Sequence, residues 1–167
     1  MDEQAEAEFR EFMLGRWPAM VRLAYGLTGD QGHAEDVAQA AFARAYAAWP
    51  RVRRAGDPDA YVRRIVVNEN RNRFRRRRVA EQITDRVPEL GGDPGTGPAD
   101  DRLALLAALR ALGPRQRAVV VLRYWAGLSE TEAAAMLGCS VGTVKSQASR
   151  ALAALRKNTD LVEGGRP

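Results

Sequence analysis

Six polar side chains recur along one side of the segment from Val141 to Arg156: Thr143, Lys145, Ser146, Gln147, Ser149 and Arg150. Short hydroxyl and amide groups mixed with cations at helical spacing can track base edges and phosphates. Val141, Val144, Ala148, Ala151, Leu152 and Leu155 are apolar at three- and four-residue steps, which predicts a helix with one packed face. A second, shorter helix is predicted just before it. Ser129 followed three residues later by Glu132 is a capping box, Ala133, Ala134 and Leu137 supply an apolar face, and Gly138 stands where a helix needs a left-handed terminal residue. Ser140 then caps the polar helix. Two helices joined by so tight a turn present the second one to the major groove of DNA. An ordinary helical hairpin with a solvated face is the alternative.

A second cluster lies upstream. Six of the eight residues from Arg71 to Arg78 are Arg, whose forked guanidinium pairs bidentately with phosphate and stacks on bases. The run continues an apolar helix, Tyr61, Val62, Ile65 and Val66, and follows Asn68, Asn70 and Asn72, whose amides can hold a base. Asn68 and Asn72 are four apart and share a helix face. A solvated basic helix end is the plainer reading. A third set, Glu35, Asp36, Gln39 and Arg44, forms a polar edge opposite an apolar stripe, exposed to solvent or docked on a protein partner.

Charge is segregated along the chain. Residues 1–50 carry a net −4, residues 51–79 carry 11 basic and 3 acidic side chains for +8, residues 80–101 carry −5, and residues 102–157 carry +7. Two basic blocks around an acidic one suggest two surfaces on one polyanion, or DNA together with a protein. A single cysteine, Cys139, excludes an internal disulfide and a multi-cysteine zinc site; as a small thiol in the turn of the motif it is expected to be buried. His33, the only histidine, falls in the first turn of a helix and is expected to cap or face solvent. No metal or cofactor is indicated. No cleavable signal or apolar run of spanning length is visible, so a cytoplasmic protein without membrane contact of its own is expected.

The elements that must position these clusters are all helical, with no β pattern of any length. Phe9, Phe12 and Met13 outline a first helix expected to yield near Trp17-Pro18, with Pro18 opening another through Met20–Leu27 that ends at Thr28-Gly29. Asp30 caps the next, whose stripe Ala34, Val37, Ala38, Ala41, Phe42, Ala45, Tyr46 and Trp49 is closed by Pro50. Asp57-Pro58 opens the helix that carries the Asn and Arg residues. The stretch around Pro88–Pro98 reads as a flexible acidic linker. Helical pattern resumes with Leu103, Leu106, Leu109 and Leu112, and Pro114 starts a helix through Val119–Trp125. The layout is a helical domain over 1–80, a linker over 81–100, a second helical domain over 101–157 and a tail over 158–167.

Three segments in this order, AEDVAQAAFARAY (Ala34–Tyr46), YVRRIVVN (Tyr61–Asn68) and GCSVGTVKSQASRAL (Gly138–Leu152), resemble the bacterial RNA polymerase sigma factors of the extracytoplasmic-function group, most closely the short actinobacterial members. The resemblance spans about residues 9–157. It implies an all-α protein of two small domains, region 2 over 1–80 and region 4 over 101–157, with core RNA polymerase and promoter DNA as partners and an anti-sigma protein as a further one. Glu35, Asp36 and Gln39 would dock on the polymerase clamp. Ile65 and Asn68 would line the pocket for a flipped −10 base, and Arg71, Asn72 and Arg73 would hold the displaced strand. Thr143, Lys145, Ser146, Ser149 and Arg150 would read the −35 element. The chain departs from the commoner pattern at Tyr61-Val62, where Trp-Leu is frequent, and at Ser149, where many relatives carry an aromatic.

Such a protein performs no chemistry itself. Three other classes share parts of this pattern. A response regulator shares the two-helix motif but needs an α/β domain, and no strand pattern precedes the motif here. A recombinase would need a nucleophile in a larger folded domain, yet the first 80 residues contain no serine, and Tyr25, Tyr46 and Tyr61 each fall on an apolar stripe. A helix-turn-helix repressor or activator acting without polymerase would use the same two basic patches.

Overall fold

The computed structural model describes residues 1–84 and 98–164, and among them every regular element is a helix. The chain divides into two compact units, Met1–Val87 and Pro88–Pro167.

In the first unit, α1 (Glu3–Thr28), α2 (Gln31–Ala47) and α4 (Pro58–Thr84) pack pairwise, and the single turn α3 (Trp49–Val52) lies against α1 and α2. Each long helix opens on an aspartate whose carboxylate accepts an otherwise unpaired N–H: Asp2 from Ala5 at 2.7 Å, Asp30 from His33 at 2.8 Å and Asp57 from Ala60 at 3.0 Å. Gly29 ends α1 at φ 73°, donating its N–H to the Tyr25 carbonyl at 2.7 Å. The core is Met20, Leu23, Ala24 and Leu27 of α1, Val37, Ala38, Ala41, Phe42 and Ala45 of α2, and Val62, Val66 and Val67 of α4. An aromatic cluster seals one end, with Phe9 5.1 Å from Tyr46 and 5.3 Å from Trp49, and Phe12 5.3 Å from Trp49.

Neither Pro18 nor Pro50 ends a helix as its sequence position suggests. The first helix does not yield at Trp17-Pro18; α1 runs unbroken through Pro18. The proline removes one hydrogen bond, to the Leu14 carbonyl, but Leu14 is 67% exposed, so that carbonyl lies on the solvent side. The apolar stripe stays in phase from Phe9 to Leu27, and packing outweighs the lost bond. Likewise α2 stops at Ala47, and Pro50 sits in the first turn of α3, where its missing N–H costs nothing.

The second unit comprises α5 (Pro98–Ala111), α6 (Pro114–Val120), a wide turn over Val121–Trp125, α7 (Glu130–Leu137) and α8 (Val141–Gly164). Helices α5, α6 and α7 all pack on α8, and Leu109, Leu112, Val120 and Ala151 form a buried cluster against which Ala154 and Leu155 pack. Arg117 of α6 completes the end of α5: its Nε donates to the Leu109 carbonyl at 3.0 Å and its Nη2 to those of Arg110 and Leu112 at 3.2 and 3.1 Å. These are among the carbonyls a helix leaves unpaired. Burial, and next the neighbouring Arg110, push the Arg117 pKa below its ordinary value.

The helix expected through Val119–Trp125 changes character after Val120. Val121–Trp125 is a π-turn, with the Ala126 N–H reaching the Val121 carbonyl at 2.8 Å and the Leu128 N–H the Leu122 carbonyl at 2.9 Å. The wider turn keeps Val121 and Leu122 fully buried while Tyr124 and Trp125 emerge. Of the stretch expected as linker, residues 81–84 complete α4 and residues 98–100 open α5, while residues 85–97 lie outside the described ones. Of the expected tail, residues 158–164 continue α8.

Candidate nucleic-acid interface

The capping box at α7 is present in both directions. Ser129 Oγ accepts the Glu132 N–H at 3.1 Å, and Glu132 Oε1 accepts the Ser129 N–H at 3.1 Å. Ala133, Ala134 and Met136 are the buried side chains of α7, with Leu137 only half-buried. Gly138 follows at φ 66°, a conformation in which any Cβ is strained, and its N–H donates to the Ala134 carbonyl. Cys139 is half-buried rather than buried. Ser140 then caps α8, its Oγ accepting the Thr143 N–H at 3.0 Å and lying 2.9 Å from Thr143 Oγ1.

With Val144, Ala148 and Ala151 buried beneath it, α8 exposes Lys145, Ser146, Ser149 and Arg150 as one continuous face. Four of the five residues expected to read DNA here are thereby brought together. Thr143 differs: it is half-buried and its hydroxyl belongs to the cap. The Ser146 hydroxyl also donates to the Thr143 carbonyl at 3.1 Å.

On α4, Val62, Val66 and Val67 face the core, while Asn68 and Arg71 are exposed and Ile65, Asn72 and Arg73 are half-buried. Ile65 therefore lies at the margin between packed and open surface. Arg64, Arg75 and Arg76 add exposed cations on the same helix. On α2, Glu35, Asp36 and Gln39 are all exposed, and Gln31 donates to Glu35 Oε1 at 3.1 Å.

The expected polymerase edge and the expected strand-holding residues adjoin each other. Arg73 Nη1 of α4 is 3.5 Å from Asp36 Oδ2 of α2. Farther along, Arg44 Nε of α2 is 2.6 Å from Glu69 Oε1 of α4. Glu69 is 8% exposed, making it a buried charge among the described residues, and its Oε1 accepts no well-aligned hydrogen bond, so the contact is ionic. Residue numbers rise along α2 as they fall along α4, so the helices run antiparallel through both pairs. Sequence reasoning missed Glu69. The signal was there: it is the single carboxylate between Asp59 and Glu81. His33 takes the expected place at a helix start, its N–H on Asp30 and its Nδ1 3.7 Å from the same carboxylate. Among the described residues, no helix is long and apolar enough to cross a membrane.

Residues 17–79 match the family described as Sigma-70 region 2, and residues 102–155 match Sigma-70, region 4. The RNA polymerase sigma-E factor of Streptomyces coelicolor is 42% identical over 150 residues, covering 90% of this chain and 85% of that protein. The ECF RNA polymerase sigma factor SigL of Mycobacterium tuberculosis is 34% identical over 143 residues, covering 81% of this chain and 79% of that one. Among solved structures, the sigma factor RpoE in complex with the anti-sigma factor NepR from Bartonella quintana matches with a TM-score of 0.78 at 28% identity, over 92% of this chain and 97% of that one. CnrH in complex with the cytosolic domain of CnrY matches with a TM-score of 0.65 at 26% identity, over 98% and 95%. With two region matches in chain order on its two helical units, and relatives of this identity along most of its length, the chain belongs to the sigma-70 family as an extracytoplasmic-function RNA polymerase sigma factor.

Proposed function

We propose that this sigma factor brings core RNA polymerase to promoters by gripping the DNA in two places, each with one helical unit. The C-terminal unit, residues 101–157, binds duplex. Its helix α8 enters the major groove, where each base pair shows a distinct pattern of donors and acceptors, while phosphate contacts fix the register. Lys145, Ser146, Ser149 and Arg150 carry that contact at the −35 element, with Thr143 at its edge.

The N-terminal unit, residues 1–80, handles unpaired strand. Extruding a base from the −10 element costs a few kcal/mol of stacking. Ile65 and Asn68 receive that base at the margin of the packed face of α4, and Arg71, Asn72 and Arg73 hold the neighbouring phosphates. Glu35, Asp36 and Gln39 bind the polymerase clamp, so melting is coupled to assembly of the holoenzyme. The sigma factor works in the cytoplasm, does no chemistry of its own and leaves nucleotide addition to the polymerase. An anti-sigma protein that covers either surface would silence it, as the anti-sigma factor NepR named in the solved RpoE complex suggests.

The observation that carries this reading is the exposed face Lys145–Ser146–Ser149–Arg150 on a capped helix, paired in one chain with an Arg-rich α4 whose other side is packed. Reconstitution with core RNA polymerase tests it. The holoenzyme should initiate at discrete sites on genomic DNA, and a pre-opened −10 bubble should raise binding. A chain that binds duplex equally well without core, and blocks initiation, would instead be a repressor.

A further inference from the structure

Charge ties the recognition helix to the helix before it. Glu130 follows the Ser129 cap as the first residue of α7, and its carboxylate stands between two cations. Oε1 is 3.9 Å from Arg123 Nη2, and Oε2 is 3.9 Å from Lys145 Nζ. Oε2 is shielded from solvent and accepts no hydrogen bond. A carboxylate oxygen in that state is costly unless a cation attends it. Arg123 is itself held, because its guanidinium donates to the Leu128 carbonyl and lies over the Tyr124 ring, 5.5 Å from its centroid. The Lys145 side chain is 67% exposed. One ionic chain, Arg123–Glu130–Lys145, thus joins the π-turn, the start of α7 and the reading face of α8.

Contacts of this length between partly exposed groups add little to stability. Their effect is on where a flexible ammonium points. Lysine is a compact, hydrated charge on a four-carbon stem, and beside DNA an unrestrained one settles on the nearest phosphate, giving affinity without sequence information. We infer that Glu130 is a positioning residue for DNA recognition: it holds the Lys145 ammonium away from the phosphates, so that Lys145 donates to a base edge in the major groove. The acceptors that suit it are O6 and N7 of guanine. This rests on α8 being the helix that reads the −35 element. Nothing in the pattern of the sequence joins position 130 to position 145; the turn between the helices does.

The test uses full-length Glu130→Gln, Lys145→Ala and the double variant, each assembled with core RNA polymerase on a duplex pool randomised through the −35 element. Glu130→Gln leaves the Ser129–Glu132 capping box in place. Lys145→Ala should reduce discrimination at one base pair roughly fivefold. Glu130→Gln should reduce it about threefold at that same base pair, and should steepen the salt dependence by about one unit as Lys145 gains a phosphate. In the Lys145→Ala background, Glu130→Gln should alter neither quantity. A Glu130→Gln effect spread evenly over all positions, or persisting without Lys145, overturns the positioning role and leaves only a general charge effect. Lys145→Ala with no effect on preference or affinity overturns the assignment of α8 to the −35 element, and this inference with it.

Discussion

Asp36 on α2 and Arg73 on α4 face each other at 3.5 Å, with side chains 61% and 38% exposed, so a residue assigned to polymerase is paired with one assigned to promoter strand. An exposed pair of this kind contributes about 0–1 kcal/mol to stability. Asp36→Ala should therefore leave the fold intact while weakening binding to core polymerase. Fluorescence titration of labelled chain against core measures this, with circular dichroism as the check on folding. Equal affinity for variant and wild type would remove Asp36 from the clamp contact.

The second pair between these helices should behave asymmetrically. Glu69 is 8% exposed whereas the Arg44 side chain is 59% exposed. Arg44→Met strands a carboxylate in the interior and should cost about 2–4 kcal/mol. Glu69→Gln removes the buried charge and lets Arg44 hydrate, so its cost should be smaller by about 1 kcal/mol or more. Urea denaturation of the two variants orders them. Equal losses would mean that the contact acts through packing rather than charge.

Arg150 is exposed on the reading face of α8. Arg150→Ala should lose roughly 1–3 kcal/mol of promoter binding, with relaxed preference at one −35 base pair. Holoenzyme binding to a set of single-base promoter variants reads this directly. A uniform loss across the set would make Arg150 a phosphate contact.

The Tyr46 hydroxyl donates to Glu6 Oε1 at 3.2 Å, linking α2 to the start of α1. That hydrogen bond, then the carboxylate's charge and then burial, raise the phenol above its ordinary 10.0. Because the folded value exceeds the unfolded one, the stabilisation is complete below the unfolded pKa and fades as pH rises through the folded one. Melting midpoints of wild type and Tyr46→Phe, followed from neutral into alkaline buffer, should converge above that range. A constant gap at every pH would show that the hydroxyl's titration plays no part.

What could be read from the chain was what local rules govern. The stripe Ala34–Ala45 announced α2, Ser129 with Glu132 announced the start of α7, and Val144, Ala148 and Ala151 announced the buried side of α8. What could not be read depends on contacts between distant residues. Pro18 looked like a boundary because its local cost is visible, while the packing of Met20, Leu23 and Leu27 that carries α1 past it is not. Glu69 finds Arg44 twenty-five positions earlier, and Glu130 meets Lys145 only because Gly138 folds α8 back. Within the site, the exposed face of α8 followed from its period. That Thr143 spends its hydroxyl on the Ser140 cap required coordinates.

The π-turn at Val121–Trp125 bears on which heritable changes this segment can accept. An α-helix advances about 100° per residue, and the wide turn absorbs one residue more than that pitch allows. Exchanging one side chain there leaves the angular phase of everything downstream untouched. Dropping a single codon would restore ordinary winding, rotate the outgoing backbone and pull Leu128, now buried, from its seat. Drift in this stretch is therefore open to replacement only at exposed Tyr124 and Trp125, and closed to changes of length.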